Sequence, residues 1–355
     1  MAGKVYVGLS GGVDSAVAAM LLKERGDDVT ALFMKNWEED DEDDYCAAAE
    51  DLQSAEQVCD ILDLPLETVN FSSEYWDYVF EHFLQEYRAG RTPNPDVLCN
   101  REIKFKAFLD YALDHGADRI ATGHYADVYQ CHGSHYLGKA ADDDKDQTYF
   151  LYAIGQHALS HTVFPLSDLN KAQVRQLARD AGLPNHARKD STGICFIGER
   201  RFREFLSRYI PASPGEIRDL DDNPVGQHQG LMYYTIGQRH GLGIGGPGEP
   251  WYVARKDLDT NVLYVVEGHD HPALHHSGLT AGDLQWIKGT PPDLPLDCTA
   301  RIRHRQPEQA CRISAIEDGV KVDFIEPQRA IAAGQSVVLS LGDLCLGGGI
   351  IEQAL

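Results

Sequence analysis

The sequence predicts an α/β protein that begins with a parallel sheet carrying helices on both faces, followed by a small central module and a C-terminal β-barrel. Short apolar segments alternate with helical patterns through the first half, which is typical of a parallel sheet. Pro211, Pro214 and Gly215 then interrupt the chain. Further on, strand patterns recur roughly every 8–12 residues, as in small barrels. We place the three parts at residues 1–205, 206–277 and 278–355.

Apolar periodicity, together with glycines and prolines, predicts the elements of the first part in order. Strand patterns cover Lys4–Leu9, Val29–Met34, Leu66–Phe71 and Asp118–Thr122. Helical patterns cover Ser15–Arg25, Ala47–Leu62, Trp76–Tyr87 and Arg101–His115. Two prolines and an asparagine predict that Arg91–Asp96 is a loop.

The two later parts are predicted to consist of short strands. In the central module these cover Leu231–Ile236, Trp251–Arg255 and Val262–Val266. In the barrel they cover Leu279–Ile287, Cys298–Arg305, Ala310–Ile316, Val320–Phe324, Ser336–Leu341 and Leu344–Ile351. Arg301, Arg303 and Arg305 would then alternate along one strand and point to one face, where they could meet phosphates. The alternative is an exposed strand whose charges have no ligand.

The charge of the chain excludes some classes of function. Lys and Arg total 32 against 55 Asp and Glu, which gives a net charge of −23. A protein this acidic is a poor non-specific binder of nucleic acid or anionic membranes, although a local basic patch is compatible with it. The acidic run Glu38–Asp44 is predicted to be a solvated loop. No apolar segment is long enough for a membrane span or a signal peptide, so we expect a cytoplasmic protein.

The sharpest local motif is Gly8-Leu9-Ser10-Gly11-Gly12-Val13-Asp14-Ser15, between a strand and a helix. Its glycines allow successive N–H groups to point at an anion, and the helix N-terminus adds partial positive charge. Ser10 and Ser15 can donate to phosphate oxygens, and Asp14 can orient the loop or hold Mg²⁺. The loop lacks the lysine of a Walker A motif. A glycine-rich turn without a ligand is the alternative.

This octet resembles the signature of the N-type ATP pyrophosphatases, the PP-loop enzymes. In that family the loop holds the pyrophosphate end of ATP. The enzyme cleaves between the α- and β-phosphates and adenylates a substrate oxygen. The resemblance implies an adenine-nucleotide-binding domain and leaves the substrate open.

Two of the eight cysteines stand in predicted polar loops with basic neighbours. Cys99 precedes the helix expected at Arg101, and Cys195 is flanked by arginines and Lys189. Basic neighbours and a helix N-terminus favour the thiolate, although each cysteine could instead be structural. The other six fall on helix or strand patterns and are taken as structural: Cys46, Cys59, Cys131, Cys298, Cys311 and Cys345. No pair has the C-x-x-C spacing of a metal site, so no metal is expected in the protein itself.

Longer motifs resemble the tRNA 2-thiouridylases of the MnmA/TrmU family. They are RTPNPDVLCNREIKF at 91–105, ATGHY at 121–125, KDQ at 145–147, DSTGICFIGE at 190–199 and CLGGGII at 345–351. The resemblance runs essentially end to end. It implies an enzyme that uses ATP to replace O2 of the wobble uridine (U34) of certain tRNAs with sulfur.

The resemblance also implies a role for each matched position. ATP is bound by Gly8 to Ser15, with Met34 and Gly123 near the adenosine and with Mg²⁺ accompanying the ATP. Cys195 carries the persulfide, and Cys99 is the partner nucleophile that can form a disulfide with it. Asn94, Pro95 and Asp96 contact the flipped target base, and Asp96 is a candidate acid or base. The positions that match tRNA contacts are His124, Lys145, Asp146, Gln147, Arg303, His304 and Gln335. His304 stands where the family often has Tyr.

The expected partners are tRNA and a persulfide sulfur carrier or cysteine desulfurase, with no membrane or DNA partner and a monomeric chain. Two other classes stay open. A PP-loop ligase that adenylates a small molecule needs no paired cysteines, and ATP–pyrophosphate exchange without tRNA would support it. A non-catalytic, ATP-gated RNA-binding module would show no ATP turnover.

Overall fold

The computed structural model describes residues 3–38, 47–189 and 202–355. The strands in chain order are β1 Lys4–Gly8, β2 Asp28–Lys35, β3 Leu66–Asn70, β4 Arg119–Ala121, β5 Asp127–Cys131, β6 Ser134–Gly138, β7 Thr162–Val163, β8 Gly215–Arg218, β9 Pro224–His228, β10 Trp251–Asp257, β11 Val262–Glu267, β12 His275–Trp286, β13 Leu296–Arg301, β14 Gln309–Ile316, β15 Gly319–Arg329, β16 Ser336–Leu341 and β17 Leu344–Ala354. The α-helices are α1 Val13–Glu24, α2 Ala47–Leu62, α3 Ser72–Tyr75, α4 Glu81–Arg88, α5 Pro95–Leu98, α6 Phe108–Asp114, α7 Thr148–Leu151, α8 Gln156–Ser160, α9 Lys171–Asp180 and α10 Phe202–Ser207. Within these ranges no helix is long and apolar enough to cross a membrane.

A parallel sheet forms the N-terminal part, as predicted. It has five strands in the order β3-β2-β1-β4-β7, and the two-residue β7 was not predicted. Strand β1 is buried on both faces, because alternate side chains enter different apolar clusters. Val5 and Val7 pack with α1 and α9, whereas Tyr6 packs with the helices between Ser72 and Asp114. The connections run from β1 to β2 and β3 on one side, and to β4 and β7 on the other. The gap between β1 and β4 is therefore a switch point, where ligands bind in open α/β sheets.

Two π-helical segments join the shorter helices into long ones. Trp76–Phe80 connects α3 to α4, and Cys99–Ala107 connects α5 to α6. The second long helix thus begins at Pro95, so the prediction of a loop through Asp96 and a helix from Arg101 was wrong. Proline is well tolerated at the first position of a helix, because the N–H it lacks has no intrahelical partner there.

The C-terminal barrel has six antiparallel strands in the order β12-β15-β14-β13-β16-β17, and it closes by pairing β12 with β17. An unpredicted hairpin, β5–β6, extends this sheet. It belongs to the first part of the sequence, yet Gly138 and Leu137 pair with Leu344 and Cys345 of β17. The sheet therefore crosses from the first part of the chain to the last, while our division at residues 205 and 277 stays a prediction.

Two predicted strands are wrong. Leu231–Ile236 is replaced by a 3₁₀ turn at Leu231–Tyr233, next to the four-stranded sheet β10-β11-β8-β9. Its four consecutive buried side chains, Leu231 to Tyr234, lack the alternation that would distinguish a half-buried strand. The predicted strand Cys298–Arg305 ends at Arg301. Arg305 takes a positive φ of 65°, so the three arginines do not line one face.

Arg301 is buried at the junction between the barrel and the N-terminal part. Its guanidinium donates to Asp146 Oδ2 at 2.7 Å and to Thr148 Oγ1 at 2.8 Å. The side chains of Arg301 and Asp146 are 9% and 2% exposed. Lys139 also pairs with Glu308 across the same junction, at 2.8 Å. Arg301 therefore links two parts of the chain and is not part of an exposed stripe.

Breaking this pair should destabilise the protein strongly. Arg301→Met leaves the Asp146 carboxylate buried without its cation and should lower the free energy of unfolding by roughly 3–5 kcal/mol. Asp146→Asn should cost less, because Glu308 Oε1 still lies 3.9 Å from Arg301 Nε. Because the partners share one interaction, the double variant should lose less than the sum of the two. Urea unfolding followed by tryptophan fluorescence measures all three.

Arg312→Met is the matched control. Arg312 pairs with Asp297 at 3.2 Å on the same sheet, but these side chains are 54% and 77% exposed. An exposed pair contributes at most about 1 kcal/mol. A loss in Arg301→Met as small as in this control would contradict a buried linking role.

Candidate functional site

The loop Gly8–Ser15 lies at the carboxyl end of β1, beside the switch point of the sheet. Gly11 has a positive φ of 74°, which glycine adopts without strain. Three donors hold its carbonyl oxygen: Ser54 Oγ at 2.8 Å, Asn185 Nδ2 at 3.0 Å and an Arg188 Nη at 3.2 Å. The turn is thus braced from α2 and from the segment after α9. The backbone N–H groups at the start of α1 have no acceptor within the helix, which leaves this terminus suited to an anion.

The end of β4 lies directly against the first turn of α1. A Cβ on Gly123 would lie 2.6 Å from the Ser15 amide nitrogen, so only glycine allows this approach. At Gly8 a Cβ would lie 3.3 Å from Cε of Met34, at the end of the neighbouring strand β2. The fold thus brings the loop, Met34 and Gly123 to one edge, and their contacts to adenosine stay a prediction.

The two loop serines have different surroundings. The Ser15 hydroxyl is buried and donates to the Gly12 carbonyl at 3.1 Å, while it accepts from the Ser10 amide at 3.2 Å. Ser15 therefore helps to shape the loop. Ser10 is exposed, so its hydroxyl is the one presented to solvent.

Asp14 lies in the first turn of α1, one residue before the predicted start of that helix, and its side chain is 30% exposed. It accepts from the Tyr125 hydroxyl at 2.9 Å and from Lys171 Nζ at 2.8 and 2.7 Å. Sequence reasoning did not select Lys171. A capping box of Asn170 and Gln173 was the available signal, because it marks the start of α9.

The segment Arg91–Asn94 is held from three sides. The Thr92 amide donates to the Ala333 carbonyl at 3.0 Å, and Gln335 Nε2 donates to the Thr92 carbonyl at 2.8 Å, both from the barrel. The Thr92 hydroxyl lies 3.2 Å from that of Thr235, which precedes β10. Arg91 pairs with the buried carboxylate of Glu86. This loop is therefore positioned by all three parts of the chain.

The three residues predicted to contact the target base lie at the junction between this loop and the helix that contains Cys99. Asn94 is the N-cap of α5, with no capping bond from its side chain, and Pro95 and Asp96 form the first turn. Cys99 follows one turn later. It is 1% exposed and belongs to the apolar cluster that includes Leu98 and Ile103. Our placement of Cys99 in a polar loop was wrong, because the helix starts earlier than predicted and turns this position inward.

Several other predicted residues lie outside the described residues. These are Cys195 with the rest of Asp190–Glu199, the basic positions Arg200 and Arg201, and Cys46. Of the cysteines described, Cys131 is exposed at the end of β5 and the others are buried.

The KDQ motif at 145–147 is hydrogen-bonded to the ATGHY motif at 121–125. Gln147 Oε1 accepts from the Tyr125 amide at 2.9 Å, and the Gln147 amide donates to the Tyr125 carbonyl at 2.9 Å. Asp146 is buried on Arg301, whereas Lys145 is half-exposed. His124 contacts Thr122 Oγ1 at 2.8 Å. Burial lowers the pKa of His124 well below its usual range, so its ring is neutral near pH 7.

Two further predicted tRNA positions follow β13. Arg303 donates to the carbonyls of Ile236 at 2.8 Å and Ala330 at 2.9 Å, so its guanidinium braces two segments. His304 packs on Phe150 with the ring centroids 4.5 Å apart. Burial also lowers the pKa of His304, which makes it a neutral stacking ring beside Lys145–Gln147. Gln335, by contrast, turns its side chain toward Thr92.

The arrangement offers a glycine-rich loop at a helix N-terminus, one carboxylate beside it and a buried thiol in a helix. Among the described residues there is no group of three or more His, Cys, Asp and Glu side chains that could hold a metal ion. The carboxylate of Asp14 is the acidic group of the loop itself. It could contact a cation that arrives with a bound nucleotide.

Comparisons with known proteins cover nearly the whole chain. Three family models match in succession: "tRNA methyl transferase HUP domain" over residues 3–199, "tRNA methyl transferase PRC-barrel domain" over 203–267 and "Aminomethyltransferase beta-barrel domain" over 276–351. The tRNA-specific 2-thiouridylase MnmA of Nitrosomonas europaea is 61% identical over 353 residues, 98% of each chain. That of Nitrosomonas eutropha is 60% identical over 99% of each chain. That of Francisella tularensis is 56% identical over 98% of this chain and 99% of its own. This chain belongs to the MnmA family of tRNA-specific 2-thiouridylases.

Proposed function

We propose that this protein is a tRNA-uridine 2-sulfurtransferase, which uses ATP to replace O2 of the wobble uridine (U34) of tRNA with sulfur. One observation carries the proposal. This chain is 61% identical over its length to a 2-thiouridylase, and its glycine-rich loop Gly8–Ser15 lies beside Gly123 at the switch point of a parallel sheet. A PP-loop ligase acting on a small molecule would not account for this full-length identity.

Activation of the base is the role of the nucleotide loop. Uridine O2 is a poor leaving group, so it attacks the α-phosphorus of ATP and pyrophosphate departs. The N-terminal amides of α1 stabilise the charge on the phosphates, since they are oriented before the reaction begins. Mg²⁺ accompanies ATP and neutralises part of this charge, with Asp14 as the loop residue that could hold it.

Sulfur transfer follows at the activated carbon. The terminal sulfur of a persulfide on Cys195 attacks C2 and forms a C–S bond. The Cys99 thiolate then attacks Cys195 Sγ, which leaves a Cys99–Cys195 disulfide and sulfur on C2, and AMP departs with the oxygen. Asp96, one turn before Cys99, is the candidate acid or base near Asn94 and the flipped base. The buried position of Cys99 supports a reaction shielded from water, which would otherwise hydrolyse the adenylate.

The tRNA surface combines Lys145, Gln147, His124 and the stacked His304. Arg303, Asp146 and Gln335 serve mainly to hold this surface together, because their polar groups contact other parts of the chain. A persulfide carrier fed by a cysteine desulfurase supplies the sulfur. The enzyme acts as a monomer in the cytoplasm, with no DNA or membrane partner.

Turnover should release AMP and pyrophosphate, not ADP and phosphate. Asp14→Asn should slow this release by about two orders of magnitude, because the variant lacks the carboxylate that could hold the Mg²⁺ accompanying ATP. The amide can still accept from Tyr125, so the fold should survive. Chromatography of the nucleotides and a pyrophosphate assay provide the measurement.

Asp114→Asn, at the exposed end of α6, serves as the control and should turn over normally. ADP as the main product would rule out adenylation.

Cys99→Ala and Cys99→Ser should both load persulfide on Cys195 yet fail to thiolate tRNA. Two variants are needed because Cys99 is buried. Serine places a hydroxyl in an apolar cluster at a cost of about 1–3 kcal/mol, whereas alanine leaves a small cavity. If both variants lose thiolation but retain persulfide labelling, the loss is due to the missing Cys99 thiol and not to misfolding.

Cys59→Ala is the matched variant, since Cys59 is a buried cysteine of α2. It should keep thiolation, and Cys195→Ala should lose persulfide loading. If Cys99→Ala thiolates tRNA at the rate of the wild type, Cys99 takes no part in the mechanism.

Salt dependence should separate tRNA contacts from internal ion pairs. Lys145→Gln should flatten the slope of log Kd against log salt by about 0.7–0.9, the value of one phosphate contact. Arg301→Met should leave the slope unchanged, because that guanidinium is held by Asp146. Fluorescence anisotropy with labelled tRNA measures both.

Lys23→Gln, at the far end of α1, is the control for removing a positive charge. A flattened salt slope in Arg301→Met, or an unchanged salt slope in Lys145→Gln, would show that tRNA binds to a different surface of the protein.

A further inference from the structure

Two cysteines lie side by side in the C-terminal barrel and have no part in the proposed sulfur transfer. Cys298 of β13 and Cys311 of β14 are direct partners in the antiparallel register, with their Sγ atoms 3.7 Å apart. Both side chains are buried among apolar residues of the barrel, at 8% and 3% exposure. Buried cysteines ordinarily serve as small apolar side chains. A pair at this distance can also react with each other.

The backbone already has the spacing that a disulfide between these strands requires. Residues directly opposite each other on antiparallel strands have Cα atoms about 4.5–5.5 Å apart, and disulfides span about 4.4–6.8 Å. The two sulfur atoms need to approach from 3.7 Å to about 2.05 Å, the length of an S–S bond. Because the strands need not move, rotation about the Cα–Cβ bonds can bring the sulfur atoms together.

One thiol of the pair is prepared for oxidation by the other. Hydrogen bonding between the two thiols lowers the pKa of Cys298 and raises the pKa of Cys311, so the thiolate forms on Cys298. The thiolate is the form that attacks an oxidant. Since both sulfur atoms are buried, an oxidant as small as hydrogen peroxide reaches them more easily than a bulky disulfide does.

We propose that Cys298 and Cys311 are an oxidation site, at which hydrogen peroxide forms a disulfide between β13 and β14. The Cys298 thiolate attacks one peroxide oxygen and becomes a sulfenic acid, while the O–O bond breaks and the departing hydroxide takes up a proton to give water. The Cys311 thiol then attacks the sulfur of the sulfenic acid, the S–O bond breaks and a second water leaves. Two thiols are thus oxidised to one disulfide, and one peroxide is reduced to two waters.

The disulfide would restrain the segment that joins the barrel to the first part of the chain. It would close a loop over residues 299–310, which contains Arg301 and the predicted tRNA position His304. Glu308 in the same loop pairs with Lys139 across the junction. A cross-link at the base of a loop reduces the conformational freedom of the unfolded chain. Oxidation should therefore stabilise the junction, and this effect does not depend on the proposed function.

The experiment treats the folded full-length protein with hydrogen peroxide and maps its disulfides by mass spectrometry. Remaining thiols are blocked with N-ethylmaleimide in urea, and trypsin then digests the protein without a reductant. Trypsin cleaves at the arginines between the two cysteines, which places Cys298 and Cys311 in separate peptides of residues 289–301 and 306–312. A disulfide between them keeps these two peptides together.

The linked peptides should exceed every pairing other than Cys99–Cys195 by at least about 10-fold, because the fold holds the two thiols together before the reaction. Dithiothreitol should separate them. Cys345, a buried cysteine of β17, is the control for burial and should be recovered as a blocked thiol. Cys131, exposed at the end of β5, reports that peroxide has reacted with the protein.

A purely apolar role for the pair makes a different prediction. Peroxide that oxidises Cys131 would then leave Cys298 and Cys311 as thiols or convert them to separate sulfinic acids, and either result would overturn the proposal. Cys298→Ala and Cys311→Ala test the restraint. After peroxide treatment the wild type should unfold at a higher urea concentration than before, whereas neither variant should gain stability. A linked wild type with an unchanged urea midpoint would contradict the restraint.

Discussion

The hydrogen bonds at Thr92 are the contacts on which the arrangement of the site depends. Its amide and carbonyl are both engaged by the barrel, through Ala333 and Gln335, and its hydroxyl meets Thr235. The helix that carries Asp96 and Cys99 begins directly after this segment. A shift of the barrel would therefore move the start of that helix.

Electrostatics impose the second constraint. A protein of net charge −23 that binds ATP and tRNA has to present positive charge locally and to keep its carboxylates occupied. The structure does this with ion pairs between distant segments. Arg301 holds Asp146, and Lys171 holds Asp14. Each pair neutralises a carboxylate and joins two elements that are far apart in sequence.

Part of the fold and part of the site could be predicted from local patterns. Four of the five strands of the parallel sheet and most barrel strands follow from apolar periodicity, whereas β7 has only two residues and therefore no periodic pattern. The loop Gly8–Ser15 follows from its glycines between a strand and a helix. Prediction failed where the structure of a segment depends on contacts with residues that are distant in sequence. The β5–β6 hairpin pairs with a strand about two hundred residues later, and its role as part of the barrel sheet depends on that partner.

The cysteine and arginine errors have the same origin. Proline was taken as a loop signal, although at the first turn of a helix it is favoured, and this placed Cys99 outside the helix that buries it. Arg301 was assigned to solvent because its partner, Asp146, lies more than one hundred and fifty residues earlier. The sequence by itself determined most strands of the two main sheets, the glycine-rich turn between β1 and α1, and the family, since these depend on short-range periodicity and specific motifs. Tertiary structure alone decided which charges are paired and which thiol is buried, because burial and ion pairing depend on contacts between segments that no local pattern encodes.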